Sequence, residues 1–311
     1  MNLAEDEKEM VNETLTRTPS EVSRQFYARE YWRSHGVMKF VRRYTPFWWR
    51  RVLRAPYLFA LDSMDAILGR RNDLTPPRYL NYAGFKGFAE AGQEHLRYFK
   101  EFCGLQPHHR VLDIGCGIGR MAVPLTGYLS TGSYEGLDIV PSGIRWCQQH
   151  ITRKYPNFHF QIADIHNKQY NPGGRCKPSE YRFPFPDGEF DLVFLISVFS
   201  HLLPADMDHY IAEISRVLRP GAKCFFTAFL LDDEARRGVA EGKSSLQFVY
   251  ELSGCWTTDP VTPETAVGYD VSTIAPLLQR HSLSLDAMYL GGWSGRSKFF
   301  SYGDLVTATK A

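Results

Sequence analysis

V-L-D-I-G-C-G-I-G-R, residues 111–120, is a short apolar run broken by one acid, followed by glycine at every second position and then an apolar, helix-compatible stretch. An apolar strand that stops in a glycine turn lets the backbone come close to a ligand. The helix that follows offers unpaired N–H groups and a positive dipole end. Gly115, Gly117 and Gly119 therefore read as a loop of the nucleotide-binding type, fed by a strand that carries Asp113.

The spacing separates two ligand classes. A dinucleotide site needs G-x-G-x-x-G, whose third glycine lets the helix pack on the strand while its end seats a pyrophosphate. Arg120 holds that third position here. Nineteen positions beyond Gly119, Y-E-G-L-D-I places Asp138 at the end of a second strand, Ser133 to Leu137, where a ribose diol finds a bidentate acceptor. Ile139 follows it. A third strand, Phe158 to Ala163, ends in Asp164-Ile165. The fourth, Phe190 to Leu202, is continuous and apolar, as a strand buried on both faces must be. A helix ending E-I-S-R-V-L-R-P-G, residues 213–221, then restarts as a fifth strand, Ala222 to Leu230.

These blocks resemble the class I S-adenosylmethionine-dependent methyltransferases over roughly residues 85–311, most specifically in the glycine motif and the Asp138 position. The resemblance implies S-adenosylmethionine as cofactor, a ligand with no phosphate whose amino-acid tail lies beside the turn of Asp113, Gly115, Gly117 and Gly119. It implies Asp138 on the ribose, Ile139 along the adenine face, Asp164 and Ile165 at the adenine amino group, and the backbone of Leu195 passing the cofactor. A carboxylate at a strand end is otherwise a solvated terminus. The expected fold is α/β: a Rossmann-like, doubly wound, seven-stranded and mostly parallel sheet with its last strand antiparallel, plus an N-terminal helical lid.

Composition narrows the function classes. A net charge of +2 over 311 residues argues against general nucleic-acid binding. Six cysteines form no C-x-x-C pair and no zinc-spaced cluster, so they read as thiols of a reducing compartment, and no metal is expected. The acidic start, Glu5, Asp6, Glu7 and Glu9, fits neither a secretory signal nor a basic transit peptide, so a cytoplasmic protein is expected.

Along the chain, residues 1–80 read as a leader and helical cap and 81–311 as the catalytic domain. Val37, Phe40, Val41 and Tyr44 recur at helical spacing. Thr45 and Pro46 can open a second helix that runs to Pro56, and Tyr57 to Leu68 a third. This basic, aromatic block suits a lid whose rings are core or pocket wall. Contact with a membrane surface is the less favoured reading. Asn81, Tyr82, Ala83 and Gly84 resemble the segment that closes over the methionine end, and Phe85 to Gly104 is the helix leading into strand one. Two substrate-side insertions are expected, near 164–188 and 231–269, and the tail strands Leu283 to Leu290 and Phe299 to Ala308 are joined by G-G-W-S-G-R-S-K, residues 291–298.

Methyl transfer needs alignment and removal of one proton. His201, just past strand four, is the candidate base because its intrinsic pKa suits proton transfer near neutrality; its alternative is a backbone hydrogen bond that merely orders the turn. Trp293, Arg296 and Tyr269 are candidate substrate contacts, with Arg296 suited to an anionic group. The expected reaction is methylation of a small molecule, O-methylation of a natural-product, sugar or lipid-like acceptor foremost, then C- or N-methylation. A non-catalytic binding protein and a nicotinamide oxidoreductase are the competing classes, and Arg120 opposes the second.

Overall fold

The computed structural model describes residues 47–69, 71–80, 87–168 and 170–311. The expected leader, the helix around Val37–Tyr44, the Thr45-Pro46 cap and the segment Asn81–Gly84 lie outside these residues. The described residues divide into two compact units: those of 47–177 together with Glu189–Phe194, and Pro178–Gly188 together with Leu195–Ala311.

In the first unit, strands β1 (Arg110–Ile114), β2 (Ser133–Asp138), β3 (Phe158–Ile162) and β4 (Phe190–Leu195) alternate with helices. β1 pairs in parallel with β2 on one side and β4 on the other, and β2 pairs in parallel with β3. β1 and β4 are buried almost throughout, as parallel strands covered on both faces must be. Helix α1 is Phe47–Ile67 and α2 is Phe88–Cys103. α2 buries Ala91, Gly92, Tyr98, Phe99 and Cys103, and its Phe99 ring stacks on Phe194 with centroids 4.3 Å apart. Gly104 ends it in the left-handed conformation at φ 59°, its N–H bonded to the Phe99 carbonyl. Short α3 (Ala122–Thr126) follows the glycines. α4 (Pro141–Cys147) continues through the wider-wound turn Gln148–Thr152.

Two expectations are corrected here. Pro56 was expected to separate two helices, yet α1 runs through it. Proline removes one N–H and crowds the preceding turn at a cost of about 3 kcal/mol. The turns beyond it are fixed by tertiary contacts: Leu58 is buried, and Asp62 and Asp65 bind Arg71 and Arg78. Strand four stops at Leu195 rather than Leu202. Ser197 takes φ 60°, and Phe199–His201 forms a 3-10 turn. An apolar run does not tell a buried strand from a buried turn.

The second unit contributes α5 (Pro204–Val217), β5 (Leu218–Ala228), α7 (Ile274–Arg280), β10 (Leu283–Tyr289) and β11 (Asp304–Lys310). β11 lies antiparallel between β5 and β10. The seven strands follow the order β10-β11-β5-β4-β1-β2-β3, so the sheet is mostly parallel with an antiparallel end. The stretch 231–269 forms a small sheet of β6 (Leu230–Leu231), β9 (Val267–Asp270), β8 (Cys255–Thr257) and β7 (Tyr250–Leu252), with α6 (Asp233–Ala240) beside it. All six cysteines are free thiols, and only Cys176 is not buried.

Gly136 in β2 has no room for a side chain. A Cβ there would lie 2.8 Å from the Phe160 ring and 2.9 Å from Cys116 Sγ. Gly136→Val is expected to destabilise the fold by about 1–3 kcal/mol through overpacking. Thermal unfolding measures it, and an unchanged midpoint would show that the sheet yields at this point.

Candidate functional site

The glycine loop has the backbone geometry its sequence requires. Gly115, Gly117 and Gly119 take φ of 83°, 59° and 74°, the left-handed region that side chains disfavour. The loop is tied to the end of β2. The N–H groups of Gly115 and Cys116 both donate to the Leu137 carbonyl, at 2.7 and 3.0 Å. Asp138 adds a second tie: its Oδ2 accepts from the Gly117 N–H and its Oδ1 from the Val140 N–H, each at 2.8 Å. One carboxylate thus joins the glycine loop to the start of α4. It is buried.

Close packing holds the loop from behind. A Cβ on Gly143 of α4 would lie 2.5 Å from the Gly117 carbonyl oxygen. A Cβ on Gly119 would lie 2.6 Å from Ile151 and 3.1 Å from Cys147. Gly143 was not singled out in the sequence. Its helical position gives no local signal, since the constraint comes from a backbone 26 residues earlier.

Asp113 sits on β1, 1% exposed, and accepts a 2.6 Å hydrogen bond from the Tyr134 hydroxyl. Burial lifts its carboxyl to about 8, with the Tyr134 hydroxyl pulling the other way. It is therefore largely protonated at neutral pH and acts through the sheet interior.

Ile139 is half-buried just beyond Asp138, and Ile165 is buried. Asp164 is half-exposed and bound to Arg175, whose Nε lies 2.5 Å from Oδ2 and whose backbone N–H lies 3.2 Å from Oδ1. The Arg175 hydrogen bonds hold its carboxyl below the usual range. The stretch beyond Asp164 is more ordered than an irregular loop. Ile165 bridges Cys176, Asn167 bridges Asn171, and the Asn171 amide donates to the Ile165 carbonyl at 2.9 Å.

In the second unit, Leu195 is fully buried at the end of β4. Ser197, in its left-handed conformation, donates its N–H to Thr227 Oγ1 at 2.7 Å. His201 ends the 3-10 turn with Nδ1 2.8 Å from the Glu264 carbonyl oxygen. A carbonyl can only accept, so Nδ1 carries the proton and Nε2 is the basic nitrogen. Burial lowers the imidazole pKa, the Glu264 contact opposing it, so the ring is neutral at pH 7.

The three residues proposed from sequence to meet substrate have protein partners. Tyr269 is buried, and its hydroxyl donates to the Leu202 carbonyl at 2.5 Å and lies 3.3 Å from that of Phe199, the two carbonyls that flank His201. Trp293 is fully buried; its Nε1 donates to Asp304 at 2.8 Å, and its ring packs edge-on to Phe229 and Phe248. Arg296 pairs with Asp232 at 2.8 Å and Glu234 at 3.1 Å, its side chain 7% exposed. The anion expected for Arg296 from outside is thus supplied by α6 and its cap. Asp304, which sequence reasoning did not single out, also accepts from the backbone of Leu230 at 2.6 Å and Gly291 at 2.5 Å. Burial raises its carboxyl to about 6.

Residues 111–221 match the family described as methyltransferase domain. A phthiotriol/phenolphthiotriol dimycocerosates methyltransferase of Mycobacterium ulcerans (strain Agy99) is 35% identical over 137 residues, 44% of this chain and 42% of that protein. A fatty-acid O-methyltransferase of Mycolicibacterium smegmatis is 32% identical over 137 residues, with the same shares. The chain thus spans 42% of the length of each of these relatives. Among solved structures, a protein from Pyrococcus horikoshii OT3 superposes with a TM-score of 0.50 at 16% identity, over 75% of this chain and 95% of that one, a likeness of fold alone.

The buried Asp113 carries a pH dependence whose sign is fixed. Its folded pKa of about 8 lies above the unfolded value of about 3.9. The native state therefore holds the extra proton between those values, and the group's contribution to stability falls as pH rises through that window. Asp113→Asn keeps the acceptor for Tyr134 without the titration. Urea unfolding at pH 5 and pH 9 is expected to show the variant gaining on the wild type at the higher pH; an equal difference at both would refute it.

Proposed function

We propose, from the match of residues 111–221 to a methyltransferase domain, that this is a class I S-adenosylmethionine-dependent methyltransferase that methylates a small, lipid-like molecule, O-methylation being the favoured reaction. The observation that supports it most directly is the Asp138 carboxylate at the end of β2, bonded to the backbone of the glycine loop. An acid so placed suits a ribose diol, and the short α3 beyond Gly119 is a poor seat for a pyrophosphate. The acceptor class is carried over from two relatives named for dimycocerosates and for fatty acids.

In this reading Gly115, Gly117 and Gly119 let the backbone approach the amino-acid end of S-adenosylmethionine, and Asp138 takes the ribose. Ile139 and Ile165 would flank the adenine, with Asp164 sharing its carboxylate between Arg175 and the adenine amino group. The bound cofactor supplies a methyl group activated on a sulfonium. His201 is neutral, with Nδ1 held by Glu264, and its Nε2 would accept the acceptor's proton. Tyr269 would position it, through the carbonyls on either side. Trp293 and Arg296 would shape the last loop as a wall.

Calorimetry with S-adenosylhomocysteine tests the cofactor assignment, with NAD as the contrast. Asp138→Ala is expected to weaken binding at least about tenfold, since hydrogen bonds to a charged group contribute about 1.5–3 kcal/mol each. Unchanged affinity, or preference for NAD, would overturn the reading. Transfer of labelled methyl to a fatty-acid panel, with product analysis for O-, C- or N-methylation, tests the reaction. Failure of any acceptor alongside tight cofactor binding would favour a non-catalytic binding protein.

His201→Ala is expected to lower kcat about 100-fold or more while leaving cofactor affinity unchanged. Because burial lowers its pKa from 6.5, wild-type activity should persist into mildly acidic solution and fall only below that value. Full turnover in the variant would reduce His201 to the hydrogen bond that orders its turn.

A further inference from the structure

Helix α1 presents an apolar stripe that no element covers among the described residues. Tyr57, Ala60, Met64 and Ile67 recur at spacings of three and four, Leu68 continues the line, and all five are exposed, Tyr57 by 65%, Met64 by 50%, Ile67 by 85% and Leu68 by 53%. Phe59 adds a further exposed ring on another side. A cluster of this kind on one helix face is not the scatter of single apolar residues usual on a surface.

The charges are sorted to match. The only acids in the helix, Asp62 and Asp65, lie away from the stripe and are neutralised by Arg71 and Arg78 at 2.5 to 2.9 Å. The sequence from Tyr31 to Leu61 holds seven basic residues, Arg33, Lys39, Arg42, Arg43, Arg50, Arg51 and Arg54, and no acid. It also holds Trp32, Trp48 and Trp49. An apolar face continuous in sequence with an acid-free cationic stretch and tryptophans has the composition of a segment that lies in an interface beside anionic headgroups. Among the described residues no helix is long and apolar enough to cross a membrane, so the contact is with a surface.

We propose that α1 docks this protein on an anionic lipid surface, with the Tyr57–Leu68 stripe entering the headgroup region and the basic residues before it holding lipid charge. This goes beyond the methyl-transfer reading and stands without it. A soluble acceptor would leave it untouched.

Cosedimentation of the full chain with sucrose-loaded vesicles tests it, comparing phosphatidylcholine alone with phosphatidylcholine holding about one third phosphatidylglycerol. The anionic vesicles are expected to bind at least about tenfold more protein, and high salt to remove the difference. Met64→Glu with Ile67→Glu, both at exposed positions, is expected to cut binding about tenfold or more, and Arg50→Gln with Arg51→Gln and Arg54→Gln to abolish the preference for anionic lipid. Quenching of wild-type tryptophan fluorescence by brominated anionic lipid gives a second readout that needs no variant. No binding to anionic vesicles above the phosphatidylcholine level, or no loss in the Met64→Glu, Ile67→Glu variant, would overturn the proposal. So would a wild-type dimer by light scattering that this variant converts to monomer without any vesicle binding, because the face would then belong to a second copy.

Discussion

One carboxylate holds the glycine loop of this molecule in register. Asp138 accepts the Gly117 and Val140 N–H groups through its two oxygens, so the left-handed glycine turn, the end of β2 and the first turn of α4 share a single acceptor. Glycines at 115, 117 and 119 leave the chain free to adopt many conformations in the unfolded state, and that freedom must be offset in the fold. Asp138, the Leu137 carbonyl and the close approach of Gly143 provide the offset. The rigidity of the glycine loop therefore rests largely on one side chain.

The two carboxyls that the sequence places on neighbouring strands play opposite parts. Asp113 is enclosed and carries its proton at neutrality, whereas Asp138 lies at the strand end where donors converge. Their difference is one of environment. A sequence pattern that marks both as acidic cannot distinguish a carboxyl enclosed in the sheet from one that backbone donors converge on, because each role depends on what packs around it.

The sheet was legible because its rule is local. β1, β2 and β3 lie within a residue of their expected bounds, since apolar runs closed by glycine or acid are read directly. The end of β4 was not, because Ile196, Val198, Phe199 and Leu202 carry the apolar run on past the point where the backbone turns, at Ser197. Pro56 misled for a related reason: local propensity favours a break, yet α1 continues past it with Leu58 buried and Asp62 bound to Arg71 and Arg78. The roles of Tyr269, Trp293 and Arg296 were hidden for want of partners. The carbonyls around His201, the carboxylate of Asp304 and the acids of α6 and its cap lie 11 to 70 residues away along the chain, and only the fold brings them together.

Asp304 has a consequence for how the chain is made. It accepts N–H groups from Leu230, 74 residues earlier, and Gly291, 13 residues earlier, and the indole of Trp293. During translation those donors emerge first and must wait for their acceptor while still hydrated. The loop around Trp293 can bury these donors on their acceptor only once Asp304 has been made and has taken its place beside β5.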